Sequence, residues 1–149
     1  MPAILILNGP NLNLLGRREP GIYGHTTLAD IEDMCAAEGE RLGLAVTCRQ
    51  SNSEGELVGW VQEVPGRFVG LIFNVGAYSH TSIALLDAAR MLDEPLIEVH
   101  LSNIYRRETF RQHSYVSLAA TGVLCGFGAR GYLMALQALA AILTGVDSG

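Results

Sequence analysis

Five short apolar segments, each separated from the next by a helical pattern, constrain the fold of this chain more than any other feature. They lie at residues 3–7, 45–50, 68–73, 96–101 and 123–127 and are rich in Val, Ile, Leu and Phe. Strands that alternate with helices form parallel sheets covered by helices on both faces. This predicts a single domain over residues 1–149. Its predicted fold is α/β and flavodoxin-like, with a doubly wound five-stranded parallel sheet of order 2-1-3-4-5.

Helix-start signals support this division of the chain. Thr27 and Ser53 are each followed three residues later by an acidic residue, which is the pattern of a capping box. Thr81 or Ser82 is expected to open a third helix, and residues 131–143 read as a last helix rich in Ala and Leu. Helices therefore fill the first three intervals between the predicted strands, and the last helix follows strand 5.

The charge of the chain limits its partners. Charged residues make up only 17% of the sequence, against roughly 25% in typical soluble domains, so we expect part of the surface to be covered by further copies of the chain. A net charge of -5 argues against nucleic acid, because no basic stripe could neutralise phosphates. No apolar stretch approaches the roughly 18 residues that span a bilayer, and the N-terminal sequence lacks the basic region of a signal peptide. We therefore expect no membrane partner.

Two features of side-chain chemistry narrow the function further. All ten basic residues are arginine, which excludes Schiff-base catalysis, lysine-bound pyridoxal phosphate and a Walker-type phosphate loop. Cys35, Cys48 and Cys125 are widely spaced and are interpreted as reduced packing residues of a cytoplasmic protein. No His or Cys pair has the spacing of metal ligands, so no metal is predicted.

Polar residues gather after predicted strands 1, 3 and 4. In a sheet of order 2-1-3-4-5 these strands are neighbours, and ligands bind outside their carboxyl ends. The residues are Asn8, Asn11, Arg17, Arg18 and Tyr23 after strand 1, Asn74, Tyr78, His80, Thr81 and Ser82 after strand 3, and Glu98, His100, Ser102, Arg106, Arg107 and Arg111 at or after strand 4. We expect them to meet in one crevice.

Structural alternatives exist for several of these residues. Asn8, Asn11 and Asn74 suit turns, and His100 could be a hydrogen-bonded core imidazole. However, His100 shares a strand face with Glu98 and Ser102 by period-two alternation, which favours a functional role. His80 opens a helix, where a neutral imidazole could donate to a ligand.

The loop after the first strand places two guanidinium groups near a phenol. A nearby Arg18 would favour the phenolate of Tyr23 and lower its pKa, which would allow it to act as a base. The alternative is a packed aromatic ring beside solvated arginines. The segment contains Gly16, Gly21 and Gly24, which indicate a mobile lid.

Four motifs carry a resemblance to a known family. "NGPNLNLLGRREPGIYG" (8–24), "NVGAYSHTS" (74–82), "IEVHLSN" (97–103) and "FRQHSYVS" (110–117) resemble the signatures of type II 3-dehydroquinate dehydratase. The resemblance implies a lyase that converts 3-dehydroquinate to 3-dehydroshikimate, the third step of the shikimate pathway, by anti elimination through an enolate. It also implies no cofactor and a homododecamer built as a tetramer of trimers.

The resemblance assigns roles to individual residues. Tyr23 would accept the proton, Arg18 would activate Tyr23, and His100, held by Glu98, would donate a proton to the departing hydroxyl. Asn11 would steady the enolate oxygen through a water molecule. The implied substrate-binding residues are Asn74, His80, Asp87, Leu101, Ser102 and Arg111.

Two other functions fit the predicted fold. A flavodoxin-like electron carrier or nucleotide-binding module would have a Ser/Thr-rich phosphate loop after strand 1, whereas this loop carries Asn and Arg. A structural or regulatory oligomer would need none of the acid, base and binding groups that the sequence contains.

Overall fold

The computed structural model describes residues 1–17, 21 and 24–145. Its sheet has the predicted order β2-β1-β3-β4-β5, and every pair of neighbouring strands is parallel. The strands are β1 Ala3–Asn8, β2 Ala45–Gln50, β3 Gly70–Asn74, β4 Leu96–His100 and β5 Gly122–Cys125. The predicted α/β class and strand order are confirmed.

Four α-helices in the described part of the chain flank the sheet: α1 Leu28–Leu42, α2 Glu54–Val61, α3 Ile83–Arg90 and α4 Arg130–Thr144. The capping box before α1 is present, because Thr27 and Asp30 exchange side-chain to backbone hydrogen bonds. Ser53 caps α2 and Ser82, rather than Thr81, caps α3. Helices α1 and α2 thus begin where the sequence indicated, but the capping box at Ser53 is incomplete, because the Ser53 N–H donates to Ser51 Oγ instead of to Glu56.

The central strands are buried on both faces, which explains their nearly continuous apolar sequence. Ile4 and Ile6 of β1 pack in one core layer with α1 and α4, whereas Leu5 and Leu7 pack in the opposite layer with α2 and α3. Each of the central strands β1, β3 and β4 therefore contributes side chains to two separate cores. Within the described residues, no helix is long and apolar enough to cross a membrane.

The register brings the carboxyl ends of the strands to one edge. Asn8 of β1 lies opposite Asn74 of β3, and Phe73 lies opposite Glu98 on β4. Directly after β1, Gly9 passes so close to the next strand end that an added Cβ would lie 2.3 Å from the Val75 carbonyl oxygen. Only glycine allows this approach, and it draws the loop after β1 over the end of β3.

Candidate active site

A cavity of about 680 Å³, open to solvent, lies at the carboxyl edge of β1, β3 and β4. Ligands of such sheets bind outside the carboxyl ends of the strands, at the point where the strand order reverses, here between β1 and β3. The position of the cavity agrees with this rule. Its lining includes seven of the residues singled out from the sequence: Asn11, Asn74, His80, His100, Leu101, Ser102 and Arg111. Side chains from three separate loops therefore converge on one space.

Glu98 and His100 form a buried pair at the end of β4. They share one strand face, as the alternation predicted, and the His100 Nε2–H donates to Glu98 Oε2. Ser117 Oγ donates to the other carboxylate oxygen, Oε1, at 2.5 Å. Burial by itself would raise the pKa of Glu98. The net effect is a lowered pKa, because the carboxylate accepts hydrogen bonds from His100 and Ser117 and lies beside the charge of His100. The carboxylate is thus ionised, and Nδ1 is the His100 nitrogen left for the cavity.

His80 is held in a different way. Its Nδ1 lies 2.7 Å from the carbonyl oxygen of His113, which can only accept, so Nδ1 carries the hydrogen. Burial, together with the nearby His100 and Arg111, lowers the pKa of His80 although the bond to His113 opposes this shift. The neutral ring therefore presents Nε2 as an acceptor. The sequence suggested that His80 donates to a ligand; the backbone bond uses its only N–H.

The loop that carries Asn11 is fixed by the strand next to it. Asn11 has a φ of 68°, in the left-handed region that asparagine tolerates. Its backbone N–H donates to Asn52 Oδ1 at 3.0 Å, and Gln50 Nε2 donates to the Gly9 carbonyl at 3.1 Å. These bonds hold the backbone at Gly9 and Asn11, and Asn11 lines the cavity. Asn11 therefore holds a turn and also lines the site.

Asn74 is held from behind by the buried Tyr132, which in turn bonds the buried Asn8. Its Nδ2 donates to the Tyr132 hydroxyl at 2.8 Å, and that hydroxyl donates to Asn8 Oδ1 at 2.6 Å. Asn8 thus lies beneath the cavity rather than in it, and Tyr132 reaches the network from α4.

Two arginines supply positive charge at the cavity rim. Arg111 Nε lies 2.8 Å from Glu108 Oε2. Arg107 also lines the cavity, and its guanidinium lies 3.5 Å from Ser102 Oγ and 3.8 Å from Glu108 Oε1. Both cations can therefore attract an anionic ligand.

Sequence reasoning missed two residues that shape this site. Ser117 lies within the fourth motif but was given no role, and Tyr132 lies within the predicted last helix. The sequence carries no local signal for these two residues, because each contacts a partner on a distant element. Arg107, which was expected in the crevice with Arg106 and Arg111, lines the cavity together with Arg111, whereas Arg106 does not.

The structure does not bring every predicted site residue to the cavity. Asp87 is exposed on α3 and does not line it. Arg18 and Tyr23 lie outside the described residues. The described neighbours of position 23 in the chain, Gly21 and Gly24, line an open concavity that shares Leu101, Ser102 and Arg107 with the main cavity.

The fold and site together define a class of protein: an α/β enzyme whose cavity combines a carboxylate–imidazole pair with amide and guanidinium donors. Within residues 1–17, 21 and 24–145, no group of three or more His, Cys, Asp and Glu side chains is placed to hold a metal ion. The donors suit an anionic, oxygen-rich ligand.

Comparison with known proteins gives the family. The profile of the dehydroquinase class II family matches residues 2–140. The chain is 59% identical over 136 residues to 3-dehydroquinate dehydratase 1 of Agrobacterium fabrum, covering 91% of this chain and 94% of that one. It is 55% identical over 144 residues to 3-dehydroquinate dehydratase 2 of Ralstonia nicotianae, with 93% and 94% covered.

A solved structure agrees with the sequence matches. The crystal structure of type II dehydroquinase from Propionibacterium acnes superposes with a TM-score of 0.91 at 47% identity, covering 95% of this chain and 97% of that one. The chain therefore belongs to the class II dehydroquinase family, the type II 3-dehydroquinate dehydratases, which are lyases.

Proposed function

We propose that this chain, as one catalytic domain, dehydrates 3-dehydroquinate to 3-dehydroshikimate in the shikimate pathway, by anti elimination through an enolate intermediate. Family membership supports the reaction. The observation that carries the mechanism is the Glu98–His100 pair at the wall of a cavity rich in hydrogen-bond donors. Such a pair can hold a proton and deliver it to a leaving group.

The elimination needs a base and an acid on opposite faces of the ring. We assign the base to Tyr23 and its activation to Arg18, because a guanidinium favours the phenolate and the family motif contains both residues. Gly21 and Gly24, which line the adjoining concavity, support access of this segment to the substrate. His100 is the acid, since its Nδ1 is the nitrogen left free by Glu98.

The remaining site residues bind the substrate and stabilise the enolate. Asn11, on the opposite wall from β4, steadies the enolate oxygen through a water molecule, and donors aimed at that oxygen lower the barrier. Arg111 and the Ser102 region bind the carboxylate. The full set of proposed binding residues is Asn74, His80, Asp87, Leu101, Ser102 and Arg111; the role of Asp87 rests on the resemblance alone.

The proposed setting is cytoplasmic, with the chain assembled as a homododecamer of four trimers. Apolar side chains exposed on and beside the edge strand β5 support self-association: Leu118 is 67% exposed, Val123 42% and Phe127 54%.

An ultraviolet assay with 3-dehydroquinate tests the proposal, because the product is a conjugated enone. We expect activity that borohydride does not abolish, since the chain contains no lysine that could form an imine. No enone signal from the folded protein would refute the reaction, and loss of activity on borohydride treatment would refute the enolate route.

Tyr23→Phe tests the assignment of the base. We expect turnover to fall by roughly 10²- to 10⁴-fold, the usual contribution of a general base, with substrate affinity nearly unchanged. Tyr105→Phe, which removes a hydroxyl from an exposed ring, is the matched control. Near-normal turnover of Tyr23→Phe would show that another group removes the proton.

A further inference from the structure

Tyr132 connects the ends of two strands beneath the cavity. Its side chain is fully buried, and its hydroxyl lies between Asn8, the last residue of β1, and Asn74, the last residue of β3. These two asparagines are register partners. One phenol from α4 thus sets the relative positions of two strand ends and of a residue that lines the cavity.

The direction of this hydrogen-bond chain is set by a backbone group. The Gly76 N–H lies 3.3 Å from Asn74 Oδ1 and needs an oxygen acceptor. Asn74 therefore turns Oδ1 toward Gly76 and Nδ2 toward Tyr132. The phenol accepts from Asn74 and donates its own hydrogen to Asn8 Oδ1. No described residue accepts from the second N–H of Asn74, which is left for a ligand.

This network is poorly explained by stability alone. Asn8 Nδ2 is buried and has no partner among the described residues, and an unpaired buried donor costs free energy. Burial also raises the pKa of the Tyr132 phenol, so the hydroxyl keeps the hydrogen that it donates to Asn8. A core that served packing only would be at least as stable with apolar side chains here. An unpaired donor kept in such a place calls for a functional reason.

We propose that Tyr132 is a positioning residue for ligand binding. Its phenol oxygen fixes the carboxamide of Asn74 so that one Asn74 N–H is offered to a carboxylate or hydroxyl oxygen in the cavity. The identity of that ligand as 3-dehydroquinate rests on the proposed function. A fixed donor binds such an oxygen more tightly than a freely rotating amide, because less conformational freedom is lost on binding.

Steady-state kinetics of Tyr132→Phe tests this role. We expect the KM for 3-dehydroquinate to rise roughly 3- to 10-fold, the range of one net hydrogen bond, while kcat stays within about twofold. In an Asn74→Ala background, Tyr132→Phe should raise KM no further, because both changes remove the same interaction. Leu139→Val is the matched control: Leu139 is fully buried on the same helix but does not line the cavity.

An unchanged KM in Tyr132→Phe, or an equal rise in Leu139→Val, would overturn the proposal. If Tyr132→Phe does not fold, Asn8→Ala replaces it; this change removes the acceptor of the phenol hydrogen and should raise KM in the same direction but less.

A second measurement separates this inference from the proposed function. The side-chain N–H signals of Asn74 in NMR should exchange with solvent faster in Tyr132→Phe than in the unmodified protein, with or without turnover. A folded protein that is inactive on 3-dehydroquinate would refute the proposed function, whereas unchanged exchange in Tyr132→Phe would refute the positioning role.

Discussion

The two histidines of the cavity are held by opposite kinds of partner. His100, at the end of β4, gives its Nε2–H to the carboxylate of Glu98. His80, in the short 3₁₀ segment Gly76–His80, gives its Nδ1–H to the backbone carbonyl of His113. The two rings lie 6.4 Å apart between centroids and are nearly parallel, with an interplanar angle of 18°. One cavity thus contains two histidines, one hydrogen-bonded to a charged carboxylate and the other to a neutral backbone carbonyl.

This difference gives the two rings different chemical roles. The ionised carboxylate of Glu98 holds the Nε2–H of His100, which leaves Nδ1 for the proton transfer that we propose. A neutral carbonyl gives less support to a charge, and burial lowers the pKa of His80. His80 is therefore a neutral acceptor, whereas His100 is the group to which we assign proton transfer. Each imidazole has one nitrogen that bonds a protein group: Glu98 for His100 and the His113 carbonyl for His80. The nature of that bonded group, charged or neutral, distinguishes the two histidines.

Replacing His100 should have the largest effect. In His100→Gln we expect kcat to fall by roughly 10²- to 10⁴-fold, because no other described group stands in its place as the acid. Steady-state kinetics with 3-dehydroquinate measures this, and His25→Gln, on an exposed ring outside the cavity, should leave kcat unchanged. A fall in kcat of less than about tenfold would remove His100 as the proton donor.

Removing the charge of Glu98 should have the next largest effect. Glu98→Gln keeps the shape of the side chain but not the charge, so we expect kcat to fall about 10- to 100-fold, the range of one hydrogen bond to a charged group. If kcat of Glu98→Gln equals that of the unmodified protein, the charge of Glu98 does not cause the difference in role between His100 and His80.

Ser117 offers a graded version of the same test. Ser117→Ala removes one hydrogen bond from Glu98 but leaves the bond from His100, so its kcat should fall less than in Glu98→Gln. Ser117→Thr retains the hydroxyl and should restore kcat. An equal loss in both Ser117 variants would indicate disturbed packing instead.

Replacing His80 should affect binding more than turnover. In His80→Ala we expect the KM to rise by about tenfold with kcat within about threefold, because an acceptor that touches a substrate hydroxyl acts on ground and transition states alike. The measurement is the same kinetic assay. If kcat fell as far as in His100→Gln, both rings would serve the chemical step and the comparison would fail.

The smallest expected effect is on stability at acidic pH. The pKa of His80 in the folded protein lies below the unfolded value of 6.5. As the pH falls below 6.5, His80 therefore becomes protonated in the unfolded chain before it does in the folded protein. The free energy of unfolding should therefore fall as the pH drops below 6.5. In His80→Gln this dependence should be weaker, as measured by urea midpoints at about pH 7.5 and about pH 5.5.

Glu98 acts at lower pH in the same direction. Its folded pKa lies below 4.5, so its contribution to stability is present above that pH and is lost as the pH falls through the folded pKa.

His25→Gln serves as the control for His80→Gln and should keep the pH dependence of the unmodified protein. An equal weakening in both variants would show that His80 is not the group responsible.

Much of the fold could be predicted because its signals are local. Strand and helix patterns predicted the alternating elements, from which the doubly wound order followed, and the caps at Thr27 and Ser53 lie where the sequence indicated. Boundaries were less accurate: β3 begins at Gly70 rather than at residue 68, and β5 spans Gly122–Cys125 rather than 123–127. Strand ends depend on which backbone groups find a partner on the next strand, and propensity does not contain that information.

The set of residues that gather at the edge of the sheet follows from local sequence patterns. Glu98 and His100 had to share a face because strand side chains alternate, and the parallel order had to bring the ends of β1, β3 and β4 together. Tertiary structure alone decided what holds those residues. Tyr132 meets Asn74, Ser117 meets Glu98, and His113 meets His80 across 58, 19 and 33 positions of chain. Such contacts depend on how whole elements pack, because a hydrogen bond is satisfied in space and not along the sequence.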